Sequence, residues 1–263
     1  MNIFRGSNGK RILHFINEEL PQIKAWDVFL IGENHMDPQR LSLQQRILEK
    51  VSCPELTLSL EFWDRSSQPV IHEYLSNLID EDIFLRDSNP PENYTDYMGL
   101  IRHCKDKKLN VLGANCPRRY VSIVRRLGRS GLELCSDSGK TFLPSPLTYA
   151  PPSEAYSEVF KEMMGVVGRE TMDSNSMMGM LEAQNLWDAT MAHSICEQFK
   201  QNKKVIHLTG HFHIQKNLGL VEHLKKYAPD AKIVSMVIIP EENPSIFDNE
   251  KHKDLADYVV LTK

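Results

Sequence analysis

Five short apolar runs constrain the fold more than any other feature of this chain: "VFLIG" at 28–32, "LTLSLE" at 56–61, "NVLGA" at 110–114, "KVIHLTG" at 204–210 and "AKIVSMVII" at 231–239. A sixth, "DYVVLT" at 257–262, comes last. They are rich in Val, Ile and Leu and do not alternate cleanly with polar residues, the pattern of strands covered on both faces. Segments of helical spacing lie between them. "PQRLSLQQRILEKV" carries Pro38 just inside its start and Leu41, Ile47, Leu48 and Val51 along one side. Tyr94, Tyr97, Met98 and Ile101 form one stripe, and a long helix over 177–201 carries Leu181, Gln184, Asp188, Met191 and Ile195 at three- and four-residue spacing. "NLGLVEHLKKYA" fills the last crossover. Strands alternating with helices imply an α/β fold, a mostly parallel sheet flanked by helices with right-handed crossovers.

The region 128–152, "GRSGLELCSDSGKTFLPSPLTYAPP", is dense in Gly, Ser and Pro and reads as a long loop or lid. With the long helix it makes an insertion between the third and fourth strands. A chain of 263 residues without internal repeats accommodates one large domain over 26–263, preceded by an N-terminal extension over 1–25. A formal net charge of -4 gives no electrostatic case for nucleic acid or an anionic membrane. The five cysteines are scattered with no CxxC pair, which points to a reducing compartment. No run is long and apolar enough for a signal peptide or a transmembrane span, so the expected location is the cytoplasm.

Chemistry gathers at the strand ends, where α/β sheets deliver their functional groups. The first strand leads into Gly32-Glu33-Asn34-His35, the second ends at Glu61, and the third at Asn115 with Arg118 and Arg119 beyond it. The fourth runs into Gly210-His211-Phe212-His213. Two of these ends share a Gly-x-x-His spacing, 32 to 35 and 210 to 213, each glycine letting the backbone turn sharply as it leaves the sheet. Glu33 and Glu61 together need cationic company, because an unpaired buried carboxylate costs several kcal/mol. Three solutions fit: an ion cluster with Arg118, a divalent ion (Zn, Mn or Fe) held by His35, His213 and one or both glutamates, or a protonated histidine acting as acid or base. His207 reads as a buried histidine bonded to backbone. Met163, Met164, Met172, Met177, Met178 and Met180 read as gap-fillers or mobile-loop residues, and Cys116-Pro117 is a weak thiolate signal at the same rim.

The ordered set "VFLIGENHMDPQRLSLQQRILE", "LSLEFWDRSSQPVIHEYL", "NVLGANCPRRYV", "EAQNLWDATMA", "VIHLTGHFH" and "ADYVVLT" resembles the ChaN-like family of haem-binding uptake proteins, grouped with the Tiki/TraB metalloproteases and erythromycin esterases. The resemblance spans roughly residues 26 to 262. It implies an α/β fold with the site at the strand ends, haem binding linked to iron uptake, and dimers that bind haem. Glu33 and His35 match the family's Gly-Glu-x-His element, Glu61 its second-strand glutamate, and Asn115 and Arg118 its Asn-x-Pro-Arg element. Asp188 matches the Trp-Asp-x-x-Met-Ala helix, His213 the final Gly-x-x-His histidine, and Tyr97 a family tyrosine. This chain departs from the family's "GNGH" by presenting His211 and Phe212 there.

Three functions follow as expectations. The first is a binding protein for haem or a related tetrapyrrole, with Phe212, Tyr97, His211, His213, Asn115, Asp188 and Arg118 or Arg119 around it. The second is a Tiki-like metal-dependent hydrolase, with His35, Glu61 and His213 on the ion and Glu33 as general base, the two glutamates being interchangeable. The third is an interaction domain whose polar cluster is structural.

Overall fold

The computed structural model describes residues 1–23, 25–35, 37–166 and 173–263; Met172 lies outside them. The described strands form one sheet in the order β2-β1-β8-β7-β3-β6-β4-β5. Here β1 is Asn2–Arg5, β2 Arg11–Ile12, β3 Val28–Glu33, β4 Leu56–Asp64, β5 Asn110–Asn115, β6 Lys204–Gly210, β7 Ile233–Pro240 and β8 Tyr258–Thr262. From β8 to β5 all neighbours are parallel. The six expected strands are all present. Residues 2–5 and 11–12, read from sequence as part of an extension, add two antiparallel strands at the β8 edge; both are too short for a periodic signal.

The helices that matter here are α1 (Gln39–Val51), α2 (Gln68–Leu75), α3 (Glu81–Asp87), α4 (Thr95–Lys107), α5 (Arg118–Leu127), α6 (Glu154–Val166), α7 (Ser174–Lys200) and α8 (Leu220–Tyr227). One face of the sheet packs Phe29, Ile31, Leu58, Leu60, Ile206 and Leu208 against α1, α2 and α4. The opposite face packs Val28, Leu30, Val205 and Val237 against Met191 and Ile195 of α7 and Leu220 and Leu224 of α8. All six residues of β3 are buried, which is why its apolar run shows no alternation.

Period two along each strand then decides where the two glutamates go. Glu33 shares a face with Phe29 and Ile31 and turns toward α1 and α4. Glu61 follows Leu60 and turns to the other face, toward α7. Strand β6 lies between β3 and β4, and the chain passes to the far side of β3 to make β7. The carboxyl ends of β3, β6 and β4 therefore flank a topological switch point.

The segment 128–152 is a strap packed down on its neighbours. Leu132, Leu143 and Tyr149 are buried with Tyr120 and Val124 of α5 and Ala183, Leu186 and Ala189 of α7. Arg65, at the end of β4, pins it by donating from Nη1 to the Leu143 carbonyl (2.7 Å) and from Nε to Ser194 Oγ (2.8 Å). Among the described residues, no helix is long and apolar enough to cross a membrane.

Candidate functional site

Glu33 is 1% exposed and accepts four hydrogen bonds. Oε1 takes Arg40 Nε (2.8 Å), the Tyr97 hydroxyl (2.7 Å) and His35 Nδ1 (3.0 Å), while Oε2 takes Gln44 Nε2 (2.5 Å). Burial by itself raises this carboxyl's pKa, but the bonds from His35, Tyr97 and Gln44 and the Arg40 charge outweigh it and hold the group below its ordinary value. Arg40 is itself buried and also donates to Asp96 (2.6 Å). The cation expected for the glutamates is thus Arg40. Arg118 is exposed at the start of α5, away from this carboxylate, and has no ion pair among the described residues.

The second cluster lies on the other face. Glu61 Oε2 accepts from Thr209 Oγ1 and the Gly210 amide, both at 2.6 Å, and Oε1 faces His213 Nε2 at 3.4 Å. His213 Nδ1 donates to Asp188 Oδ1 at 2.5 Å, and Asp188 Oδ2 accepts from the Tyr156 hydroxyl. Burial pulls the His213 pKa down, yet Glu61 and Asp188 overcome it and push it up to about 10. Glu61 is held low by His213, Thr209 and Gly210 against its burial. Asp188 is fully buried and pushed up, chiefly by desolvation. His213 is therefore an internal imidazolium between two carboxylates.

His35 stands between the clusters. Its side chain is 46% exposed, its ring meets Phe62 edge-on at 5.3 Å, and Phe62 stacks on Tyr97 at 4.2 Å. A Cβ at Gly210 would lie 3.2 Å from His35 Nε2 and 3.7 Å from His213 Cδ2, so the two histidines flank this glycine. Neither glycine of the paired motif needs a left-handed backbone: Gly210 has φ of -58°, and Gly32 is not among the positive-φ residues. The expected role in turning the chain is corrected to one of space. A Cβ at Gly32 would lie 2.7 Å from the His211 Cα.

His211 is half-buried and donates from Nδ1 to the Glu33 carbonyl (3.3 Å), with burial lowering its pKa. Its neutral ring keeps Nε2 as a lone-pair acceptor. His35 rests Nδ1 on the Glu33 carboxylate, which raises its pKa, and its Nε2 has no hydrogen-bond partner among the described residues. Glu33 thus orients two imidazoles, one through its side chain and one through its backbone.

Other expected residues take different places. Tyr97 is 0% exposed and its hydroxyl serves Glu33. Phe212 packs with Tyr156, Phe160 and Met164, and Met163, Met177 and Met180 join that cluster as gap-fillers. Asn115 Oδ1 accepts from the Cys116 amide (2.9 Å) at the end of β5. The Cys116 thiol is pushed up to about 12 by burial and stays protonated. His207 bonds the Ser59 hydroxyl (2.9 Å) rather than backbone carbonyl, and burial pushes its pKa down to about 3. Among the described residues no group of three or more His, Cys, Asp or Glu side chains is arranged to hold a metal ion. The expected set of His35, Glu61 and His213 does not close as one. His213 Nε2 faces the Gln184 side-chain amide at 3.1 Å as well as Glu61, Nδ1 is on Asp188, and both Glu61 oxygens are engaged.

Arg40 and Gln44 were not singled out in the sequence, although they share a helical face with Ile47 and Leu48 and are buried with them. Polar residues in phase with an apolar stripe were the available signal. Tyr156 left none.

The family model for haem-binding uptake proteins of the ChaN type, Tiki superfamily, matches residues 20–224. The chain belongs to this family. The structure of ChaN from Campylobacter jejuni, described as binding heme cofacially, superposes with a TM-score of 0.71 at 18% identity, over 100% of this chain and 96% of that one. A succinoglycan biosynthesis protein superposes at 0.51 and 13% identity, over 86% of this chain and 69% of that one. At such identities the superpositions establish the fold. No curated protein matches the sequence. The ChaN-like assignment accords with the parallel sheet and with a switch point at β3 and β6.

Proposed function

We propose that this ChaN-like chain binds haem, or a closely related tetrapyrrole, at the rim formed by the ends of β3 and β6, with His35 or His211 supplying the axial nitrogen. The carrying observation is the shared anchoring of both imidazoles on Glu33, which leaves each Nε2 free of hydrogen-bond partners among the described residues. A ring nitrogen made more basic by a carboxylate on its partner nitrogen is the arrangement that orients imidazole ligands of metals. The residues present fit the group. Phe62 offers an aromatic edge beside His35 for a large flat ring. Arg118, exposed without an ion pair, lies three strands from β3, roughly 14 Å at the usual strand spacing, and supplies a cation for a propionate. When bound, haem would supply the iron chemistry; the protein's part is to present an imidazole, wall one face and exclude water from it.

The rim around His35 is open to solvent, so a second copy covering the ligand is part of this reading, as is a role in haem or iron handling. Titration of purified protein with haemin tests it. A saturable, shifted Soret band is expected, weakened or moved in His35→Ala or His211→Ala, with sedimentation following any change of mass. An unchanged affinity and spectrum in both single variants and in the double variant removes these ligand assignments.

A further inference from the structure

A second group of buried polar atoms lies beneath the strap, away from the rim. Tyr149 on the strap is 4% exposed, and its ring meets that of His223 on α8 at 6.3 Å. His223, also 4% exposed, stacks on Tyr227 at 6.1 Å. The Arg129 guanidinium lies over the Tyr149 ring at 4.5 Å. Among the described residues, six buried side-chain nitrogen or oxygen atoms lack a hydrogen-bond partner within the protein. Four of the six are here: Tyr149 Oη, Tyr227 Oη, His223 Nδ1 and Arg129 Nη2. Buried polar atoms are seldom left unpaired, and a cluster of them in one place marks a guest that pairs them.

The protonation states define that guest. Burial pushes Tyr227 up to about 12 and raises Tyr149 as well, so both phenols keep their protons. Burial pushes His223 down to about 4, which keeps its ring neutral. Its Nε2 faces the Asn185 side-chain oxygen at 2.9 Å and donates to it, leaving Nδ1 as an acceptor. The lining therefore offers two hydroxyl donors, one guanidinium donor and one lone pair. An anion would set its charge against the Nδ1 lone pair. An apolar guest would leave all four atoms unpaired. Water accepts from both phenols and donates to the imidazole.

We infer that Tyr149, Tyr227 and His223 share ordered water that ties the strap to α8. It is independent of the haem reading. The test rests on a change of sign. If the phenols are truly unpaired, Tyr149→Phe and Tyr227→Phe remove a buried unsatisfied group and raise the melting temperature. If water pairs them, each change lowers it, by about 2–4 °C for a chain of this size, and the double variant loses less than the sum because the first change already releases the water. A high-resolution crystal structure of the unaltered protein is expected to hold solvent density within hydrogen-bond distance of both phenols and His223 Nδ1. A rise or no change in melting temperature in both variants overturns the inference. So does density larger than water, or phenols bonded to protein acceptors with nothing between them.

Discussion

His213 Nδ1 lies 2.5 Å from Asp188 Oδ1 while its Nε2 faces Glu61 at 3.4 Å, so the last histidine of the paired Gly-x-x-His elements commits both ring nitrogens inside the protein. Its counterpart His35 commits one, to Glu33, and presents the other. The repeated spacing thus yields two chemically different histidines, one locked as an internal cation and one with a ring nitrogen left facing outward. Burial makes the difference: His213 is enclosed between Glu61 and Asp188 of α7, whereas His35 lies half in solvent with Nδ1 on a carboxylate that Arg40 already neutralises.

The locked cation makes stability depend on pH in a defined direction. The folded His213 pKa of about 10 stands above the ordinary histidine value of 6.5. Its contribution is therefore fully present below about pH 6.5 and is lost as pH rises through 10, by a total on the order of 5 kcal/mol. Urea unfolding at pH 6, 8 and 10 reads this slope. His213→Asn is expected to flatten it, and an unaltered slope in that variant would dismiss the imidazolium.

Glu33→Gln should destabilise the fold by about 3 kcal/mol, since it leaves Arg40 buried with only Asp96 as a carboxylate partner. His35→Ala removes one bond to the same carboxylate from a half-exposed side chain and should cost under about 1 kcal/mol. Equal losses in the two variants by denaturant titration would contradict the assignment of Arg40 as the structural partner and His35 as the free ligand.

The two motif glycines should differ sharply. Gly32→Ala drives a methyl to 2.7 Å from the His211 Cα and 2.9 Å from Ile214, where backbone has to move, so a loss of folded protein or several kcal/mol is expected. At Gly210 the nearest atom is the tip of the exposed His35 ring at 3.2 Å. Gly210→Ala should keep its melting temperature within a few degrees while displacing His35 and weakening haemin binding. Thermal melts with parallel haemin titrations compare them.

Arg65 holds strap, β4 and α7 together through Leu143, Thr190 and Ser194, without a carboxylate partner among the described residues, and burial pushes it down to about 10. Arg65→Met should cost about 2–3 kcal/mol by leaving those acceptors unpaired. Amide exchange should quicken across 128–152 and stay level in α1. Uniform acceleration across the chain would argue against a local latch.

The strands were legible because six of them are short apolar runs with turn residues between, and no other packing satisfies so many segments buried on both faces. The helical spacing puts Leu41 on the buried side of α1, whereas the structure buries Arg40, Leu43 and Gln44 with Ile47 and Leu48. The phase differs because an arginine and a glutamine do not announce burial; Glu33 beneath them supplies the reason for it. Tyr97 was visible as a stripe residue, but its hydroxyl partner lies 64 positions away. The first strands β1 and β2 gave no pattern because four- and two-residue segments hold less than one repeat of anything.

By itself the sequence determined the α/β class, the parallel sheet and the collection of Glu33, His35, Glu61, His211 and His213 at strand ends, because hydrophobic period and strand direction are local properties. Only the tertiary structure decided which face each side chain occupies and which partner it meets. Those depend on β6 lying between β3 and β4 and on helices from distant parts of the chain. For that reason Arg40 rather than Arg118 neutralises Glu33, and His213 is an internal cation while His35 and His211 keep a nitrogen to offer.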